Sequence, residues 1–232
     1  MLGILGGMGP AASADFFGKL VALTPAKRDQ EHIPLMLTCL PQTPDRSAAI
    51  LGYGPSALPG LMDGLRRLVD GGAKAIVIPC NASHHWYDEL QAAADVPILH
   101  IADAAIRALP PGDGPVLVMA TRGALASGFY QHKLRAAGRD WRLPAAGREQ
   151  EAVDAVIDGV KQGAPARAAA VLAQLWQDFA ATGIHAAIMA CTEIPLAAAR
   201  LPSPPFAAID SNLELARAAV AHAIAQGWNR PC

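Results

Sequence analysis

The sequence predicts an α/β protein of two similar lobes, each a parallel sheet flanked by helices, related by a pseudo-two-fold axis with a cleft between them. Three observations carry this. Short apolar runs alternate with longer amphipathic segments along all 232 residues, the pattern of repeated βαβ units. Runs such as Ala75-Ile76-Val77-Ile78 and Ala186-Ala187-Ile188-Met189 are apolar at every position, as strands covered on both faces by helices are. The two halves also repeat one another in order. A strand runs into a small-residue turn at Leu2–Gly6 and again at Val116–Gly123. At nearly the same distance beyond each, an apolar strand ends in cysteine, Cys80 or Cys191, followed by Asn81 or Thr192. Each half then closes on a strand ending in aspartate, Ile101-Ala102-Asp103 and Ile209-Asp210.

Taken in order, the expected strands of the first half are Leu2–Leu5, Pro34–Leu40, Lys74–Pro79 and Pro97–Ile101. Those of the second are Pro115–Ala120, Trp141–Leu143, His185–Ala190 and Pro205–Ile209. Helical patterns fall between them, among them Pro55–Asp70, Ser83–Ala94, Ser127–Ala137, Ala166–Ala180 and Asn212–Ala225. Gly71-Gly72, Gly138 and Gly183 stand just past helical segments, where a left-handed C-cap is expected. The repeat assigns residues 1–103 with 207–232 to the first lobe and 104–206 to the second.

Composition narrows the function. Apolar residues make up 52% and charged residues 17%, with a net charge of −1 and no basic run, so a nucleic-acid surface is not expected. The N-terminus lacks the positive segment of a secretion signal, and no apolar stretch reaches the ~18 residues of a membrane span. A cytoplasmic protein without a membrane partner is the expectation. Under those conditions Cys39, Cys80, Cys191 and Cys232 are expected as free thiols, and neither CxxC nor HxxxH spacing offers a zinc site. Cys232 reads as a tail residue, and Cys39 as a packing residue bordering the cleft.

In open α/β sheets, ligands bind beyond the carboxyl ends of the strands, which is where Cys80 and Cys191 fall. If the lobes face each other, so do the two thiols. Inverting a carbon centre needs a base on one face and an acid on the other, and a thiolate/thiol pair supplies both. A free thiol ionises at about 8.5, so a modest shift poises it for neutral pH. The plain alternative is that both cysteines are small buried packing residues; their placement at repeated positions argues against it.

At these residues the sequence resembles the aspartate/glutamate racemase family, and most closely its aspartate racemase branch. The likeness rests on Gly3-Ile4-Leu5-Gly6-Gly7-Met8-Gly9-Pro10, Pro79-Cys80-Asn81, and Ala190-Cys191-Thr192-Glu193-Ile194-Pro195-Leu196. It extends to Thr24-Pro25-Ala26-Lys27-Arg28-Asp29-Gln30-Glu31-His32-Ile33-Pro34 and Pro41-Gln42-Thr43-Pro44-Asp45-Arg46, so nearly the whole chain is covered. The resemblance implies a cofactor-independent enzyme of two α/β lobes, a homodimer, acting on a small acidic amino acid. It implies catalytic roles for Cys80 and Cys191, carboxylate binding by Arg46 and by Lys161, and substrate-lining roles for Met8, Asn81, Thr121 and Thr192. The family usually reads Pro-Cys-Asn-Thr-Ala-His after the first strand. Here Ala82 and Ser83 replace Thr and Ala, moving the hydroxyl by one position, so that a side-chain hydrogen bond to substrate is either lost or rebuilt by Ser83, which is counted with Ala82 among the substrate-lining residues. Ala120 likewise stands where the family often has Gly.

The remaining residues read two ways. Gly6-Gly7-Met8-Gly9 would serve a phosphate, but Ala12 breaks the dinucleotide pattern, and close approach to a small carboxylate suits these glycines better. Arg46 beside Asp45 is either a solvated ion pair or a bidentate carboxylate ligand. Lys161 is either helix-end compensation or a second ligand. His84 is placed to orient the thiol, whereas His85 reads as a surface residue. Glu193 would either polarise Cys191 or stabilise a helix start. The favoured function is aspartate racemisation, with glutamate or a broader set of acidic amino acids next. The rivals are decarboxylation or isomerisation of a small diacid on the same scaffold, and a non-catalytic binder of acidic amino acids.

Overall fold

In the computed structural model, which describes residues 1–230, two four-stranded parallel sheets share one strand order. The first runs β2 (Leu35–Cys39), β1 (Leu2–Gly6), β3 (Ala75–Val77), β4 (Ile98–Leu99). The second runs β6 (Trp141–Arg142), β5 (Val116–Met119), β7 (Ala186–Met189), β8 (Ala207–Asp210). Leu2 pairs with Leu35 on one side and Ala75 on the other, and Val116 pairs with Trp141 and Ala186, so the repeat extends to register. Residues of β1, β3, β5 and β7 are buried throughout, which is why these strands carry no polar alternation.

The connections are α1 (Pro10–Leu23), α2 (Arg46–Ile50), α3 (Leu58–Asp70) and α4 (Tyr87–Ala92) in the first half, closed by α5 (Ile101–Arg107). The second half has α6 (Arg122–Ser127), α7 (Phe129–Ala136), α8 (Arg148–Lys161), α9 (Pro165–Ala180) and α10 (Ile194–Ala198), closed by α11 (Ser211–Ala225). Amphipathic patterning and end signals explain the long ones. α8 begins with Glu149 and Glu151 and ends on Lys161, charges that oppose the helix dipole, and it buries Val153, Val156 and Ile157 against α9.

Two elements differ from the sequence reading, the first because of a cap. The strand expected over Pro97–Ile101 stops at Leu99, because the His100 ring folds back to accept the Ala102 amide at 3.1 Å and starts α5. Asp103 therefore lies in the first turn of α5 and not at a strand end. The cap in the second half is the carboxylate of Asp210, which accepts from the amides of Asn212 and Leu213 at 2.8 and 3.1 Å. The helix expected over Ser83–Ala94 is divided into a 3₁₀ turn at Ala82–Trp86 and then α4.

The lobe boundary also moves. Residues 207–210, grouped by the repeat with the first lobe, are the edge strand of the second sheet, paired with β7 from Ala186↔Ala207 to Met189↔Asp210. The chain changes lobes only after Asp210. There α11 leaves to pack Leu215, Ala219 and Val220 on the first sheet beside Leu2, Ile4 and Phe16. Helix α5 crosses in the opposite sense, placing Ala102 and Ala105 in the core of Val116, Val118 and Leu134. The two closing helices thus exchange lobes and pack on each other. Among the described residues no helix is long and apolar enough to cross a membrane.

Candidate active site

Strand order 2-1-3-4 places a crevice beyond the carboxyl ends of the first and third strands, where successive connections leave in opposite directions. The two lobes bring these crevices together into one cleft of about 440 Å³. The turn after β1 contributes Met8, and that after β3 contributes Cys80, Asn81 and Ala82. The turn after β5 adds Thr121 and Arg122, and that after β7 adds Cys191, Thr192 and Glu193. From the flanks come Asp45 and Arg46 at the start of α2, and Asp154, Asp158 and Lys161 on α8. Tight backbone approach makes this possible. Gly7 has φ +97°, and a Cβ there would lie 2.3 Å from the Leu40 amide nitrogen. A Cβ on Gly123 would strike Ser47 at 2.5 Å, where α6 of one lobe meets α2 of the other.

Cys80 and Cys191 are buried yet both line the cleft. The Cys191 thiol donates to Glu193 Oε2 at 3.0 Å. Burial pushes this thiol well above its ordinary range, helped by the charge and hydrogen bond of Glu193, while Lys161 opposes them. Lys161 has no ion-pair partner among the described residues. Burial alone would lower its pKa, but the acidic groups that face it, Cys191, Glu193, Asp45 and Cys80, outweigh that and hold it above the usual lysine value. It stays a cation in the cleft.

His84 does not reach the Cys80 thiol. Its Nδ1–H donates to the Cys80 carbonyl at 3.0 Å and its Nε2 accepts the Ile101 amide at 3.2 Å, so the neutral ring fixes the backbone of the cysteine turn. Burial lowers its pKa to about 4. His85 is exposed. Arg46 is tethered: Nη1 donates to the Thr43 and Pro44 carbonyls, both at 3.0 Å, and the buried Nε has no protein partner. Thr121 caps α6, its hydroxyl accepting the Ala124 amide at 3.4 Å. The Asn81 side chain is held by Tyr130 and Ser211.

Two expectations fail here. Ser83 does not line the cleft; it is fully buried, and its hydroxyl donates to Met8 Sδ at 3.4 Å, so it supports Met8 from behind and is not placed to rebuild a substrate contact. Cys39 ends β2 as an exposed thiol away from the cleft lining. Cys232 lies outside the described residues. The cleft also gains residues that the sequence did not single out. Arg122 Nε pairs with Asp154 Oδ2 at 2.6 Å, and Gln150 holds the other oxygen of Asp154 at 2.8 Å. Their signal was the helix over Arg148–Lys161, on which Gln150, Asp154, Asp158 and Lys161 recur at helical spacing.

The Asp/Glu/Hydantoin racemase family profile matches residues 5–219, and the chain belongs to that family. It is 28% identical over 224 residues to the broad specificity amino-acid racemase RacX of Bacillus subtilis (strain 168), covering 95% of this chain and 96% of that one. Among solved structures it superposes on Picrophilus torridus aspartate racemase with a TM-score of 0.84 at 29% identity, covering 96% and 93% of the two chains. Glutamate racemase from Francisella tularensis, solved with D-glutamate, shares the fold with a TM-score of 0.71 at 16% identity, over 98% of this chain and 82% of that one.

Proposed function

We propose that this protein racemises an acidic amino acid, aspartate foremost, by proton transfer between Cys80 and Cys191 without a cofactor. The observation that carries the reading is that two buried thiols, from equivalent turns of two repeated sheets, line one cleft. One thiolate removes the Cα proton, and the opposite thiol returns a proton to the other face. The electron pair of the broken C–H bond becomes that of the new one, so no oxidant or reductant takes part. Negative charge gathering on the substrate carboxylate is met by Lys161 and Arg46, which both line the cleft.

Two cations suit a substrate with two carboxylates. Asp45, Asp154 and Asp158 in the same cleft favour a second reading, in which the side chain accepted is broader than a carboxylate. The deciding experiment incubates dialysed, chelator-treated protein with L-aspartate, and in parallel with other L-amino acids, in heavy water. Solvent deuterium entering Cα together with loss of optical rotation on aspartate supports the first reading. Turnover confined to neutral or basic amino acids moves the substrate to the second, and strict dependence on added pyridoxal phosphate or metal sinks the cofactor-free mechanism. We propose further that the active form is a cytoplasmic homodimer, the dimer being testable by sedimentation.

A further inference from the structure

We propose that Glu193 is a positioning residue that makes the two thiols unequal: it holds Cys191 as the hydrogen-donating thiol of the free protein and leaves the part of resting base to Cys80. This rests on the two-thiol reading above. The geometry is specific. Glu193 is buried, and its Oε2 receives the Cys191 thiol at 3.0 Å and the Thr192 hydroxyl at 3.4 Å. A carboxylate oxygen that gathers two donors in a buried place is served by the protonated thiol, not by a second anion beside it.

The repeat shows the asymmetry. Cys80-Asn81-Ala82 and Cys191-Thr192-Glu193 occupy equivalent turns, so the position of the carboxylate after one cysteine is a methyl group after the other. The charged groups around Cys191 do not cancel the effect. Lys161 at the end of α8 favours the thiolate, but it is shared with Glu193, Asp45 and Cys80. Tyr130 on α7 is a buried phenol, held neutral by burial first, and offers no counter-charge.

A consequence for turnover follows. When Cys80 takes the Cα proton, Cys191 gives up its own: one S–H bond forms and the other breaks. The protein is left with a Cys191 thiolate beside the Glu193 carboxylate, the disfavoured form. It relaxes when a proton passes from Cys80 to Cys191 through solvent. The enantiomer whose Cα–H faces Cys80 therefore meets the resting form, and its mirror image meets the minor one. Because racemisation has an equilibrium constant of one, kcat/KM is equal for the two enantiomers. The inequality appears as kcat and KM that are raised together for one of them.

The test reads the thiols directly. Iodoacetamide labelling of Cys80 and Cys191, mapped by peptide mass across pH, is compared in wild type, Glu193→Gln and Glu193→Asp. Labelling follows the thiolate fraction. The expected result is slower labelling of Cys191 than of Cys80 at pH 7 in wild type. Glu193→Gln should raise the Cys191 rate about tenfold, the equivalent of one unit of thiol pKa, with the Cys80 rate unchanged. Glu193→Asp keeps the charge and stays near wild type. Faster labelling of Cys191 than of Cys80 in wild type overturns the proposal without any variant. So does a Glu193→Gln variant that leaves Cys191 unchanged or accelerates both cysteines alike. No substrate enters this measurement, so failure to racemise aspartate would count against the function proposed above and not against this asymmetry.

Discussion

Tyr130 donates its phenolic hydrogen to Asn81 Oδ1 across 2.6 Å, and that bond ties a helix of the second lobe to the residue after Cys80. The link continues. Asn81 Nδ2 donates to Ser211 Oγ at 3.1 Å, and that hydroxyl donates to the carbonyl of Met189 at 2.8 Å, at the end of the strand that leads to Cys191. A buried polar strut therefore connects the two cysteine turns. Its value is position, since proton transfer from opposite faces depends on the separation of the two sulfurs more than on either alone.

Tyr130→Phe removes one hydroxyl and leaves Asn81 Oδ1 buried and unpaired. Loss of such a bond costs about 1–3 kcal/mol. Urea unfolding should show a midpoint lowered accordingly with an unchanged slope, and kcat should fall more than KM changes. A variant with wild-type midpoint and wild-type kcat would remove the strut from the account.

Arg46 and Lys161 are predicted to serve the substrate's carboxylates. Lys161→Ala removes a cation from a cleft that already holds several acids, and Arg46→Lys keeps the charge but loses the planar fork. Each should lower kcat/KM by about 1.5–3 kcal/mol in transition-state binding, roughly ten- to hundredfold. Lys161→Ala should also depress the rate with neutral substrates less than with diacids. If both variants keep wild-type kinetics on the best diacid, the assignment is wrong.

Burial holds His84 near a pKa of about 4, against 6.5 for an ordinary histidine. Below pH 6.5 the unfolded chain takes up a proton there that the folded protein refuses until about pH 4. Stability is therefore fully present above pH 6.5 and drains away as pH falls through that window, by about 3 kcal/mol in all. His100, its ring 4.6 Å from His84, is also shifted downward, by burial first and then by its charged neighbours, and adds to the same trend. Urea midpoints measured from pH 7 to pH 4.5 should fall steeply in wild type and less steeply in His84→Asn. Equal slopes in the two proteins would contradict this.

Much of this was legible in the sequence because parallel strands buried on both faces write themselves as unbroken apolar runs. β1, β3, β5 and β7 lie where those runs place them, and the four other strands overlap the segments expected for them. Strand ends and the repeat point Cys80 and Cys191 to a shared cleft, whereas Arg46 and Lys161, which also line it, are expected there only from the family resemblance. The rest depends on partners distant in sequence. An apolar stripe does not say which sheet an edge strand joins: assigning 207–232 to the first lobe agrees with the packing of α11 there, but it carries β8 along, and the boundary falls after Asp210. Whether Ser83 meets substrate or Met8 is decided by one backbone turn. The role of Glu193 was half visible, in the contrast of Cys-Thr-Glu with Cys-Asn-Ala, but only the 3.0 Å contact selects the thiol over a helix start.

The division of labour between the thiols gives the sharpest prediction. Cys80→Ser and Cys191→Ser keep the shape of the cleft but remove an acid/base group, since a serine hydroxyl ionises far too weakly to replace a thiol. Every complete turnover needs one group to accept a proton and the other to donate one, so racemisation should collapse in both variants and in both directions, by the hundredfold or more typical of losing a general acid or base, roughly 10²–10⁴. The partial reaction behaves differently. A single remaining thiolate still abstracts a proton from its own face and returns one from solvent, which exchanges hydrogen without inverting the carbon. Each variant should therefore exchange Cα hydrogen in heavy water, slowly and with retention, and the two should act on opposite enantiomers. The asymmetry at Glu193 adds a rank order: Cys191→Ser, which keeps the resting base Cys80, should exchange its enantiomer faster than Cys80→Ser exchanges the other. Proton NMR of the Cα signal, read beside optical rotation, separates exchange from inversion. A variant that still racemises near the wild-type rate would end the two-thiol mechanism, and two variants that exchange the same enantiomer would show that the cysteines do not flank the substrate.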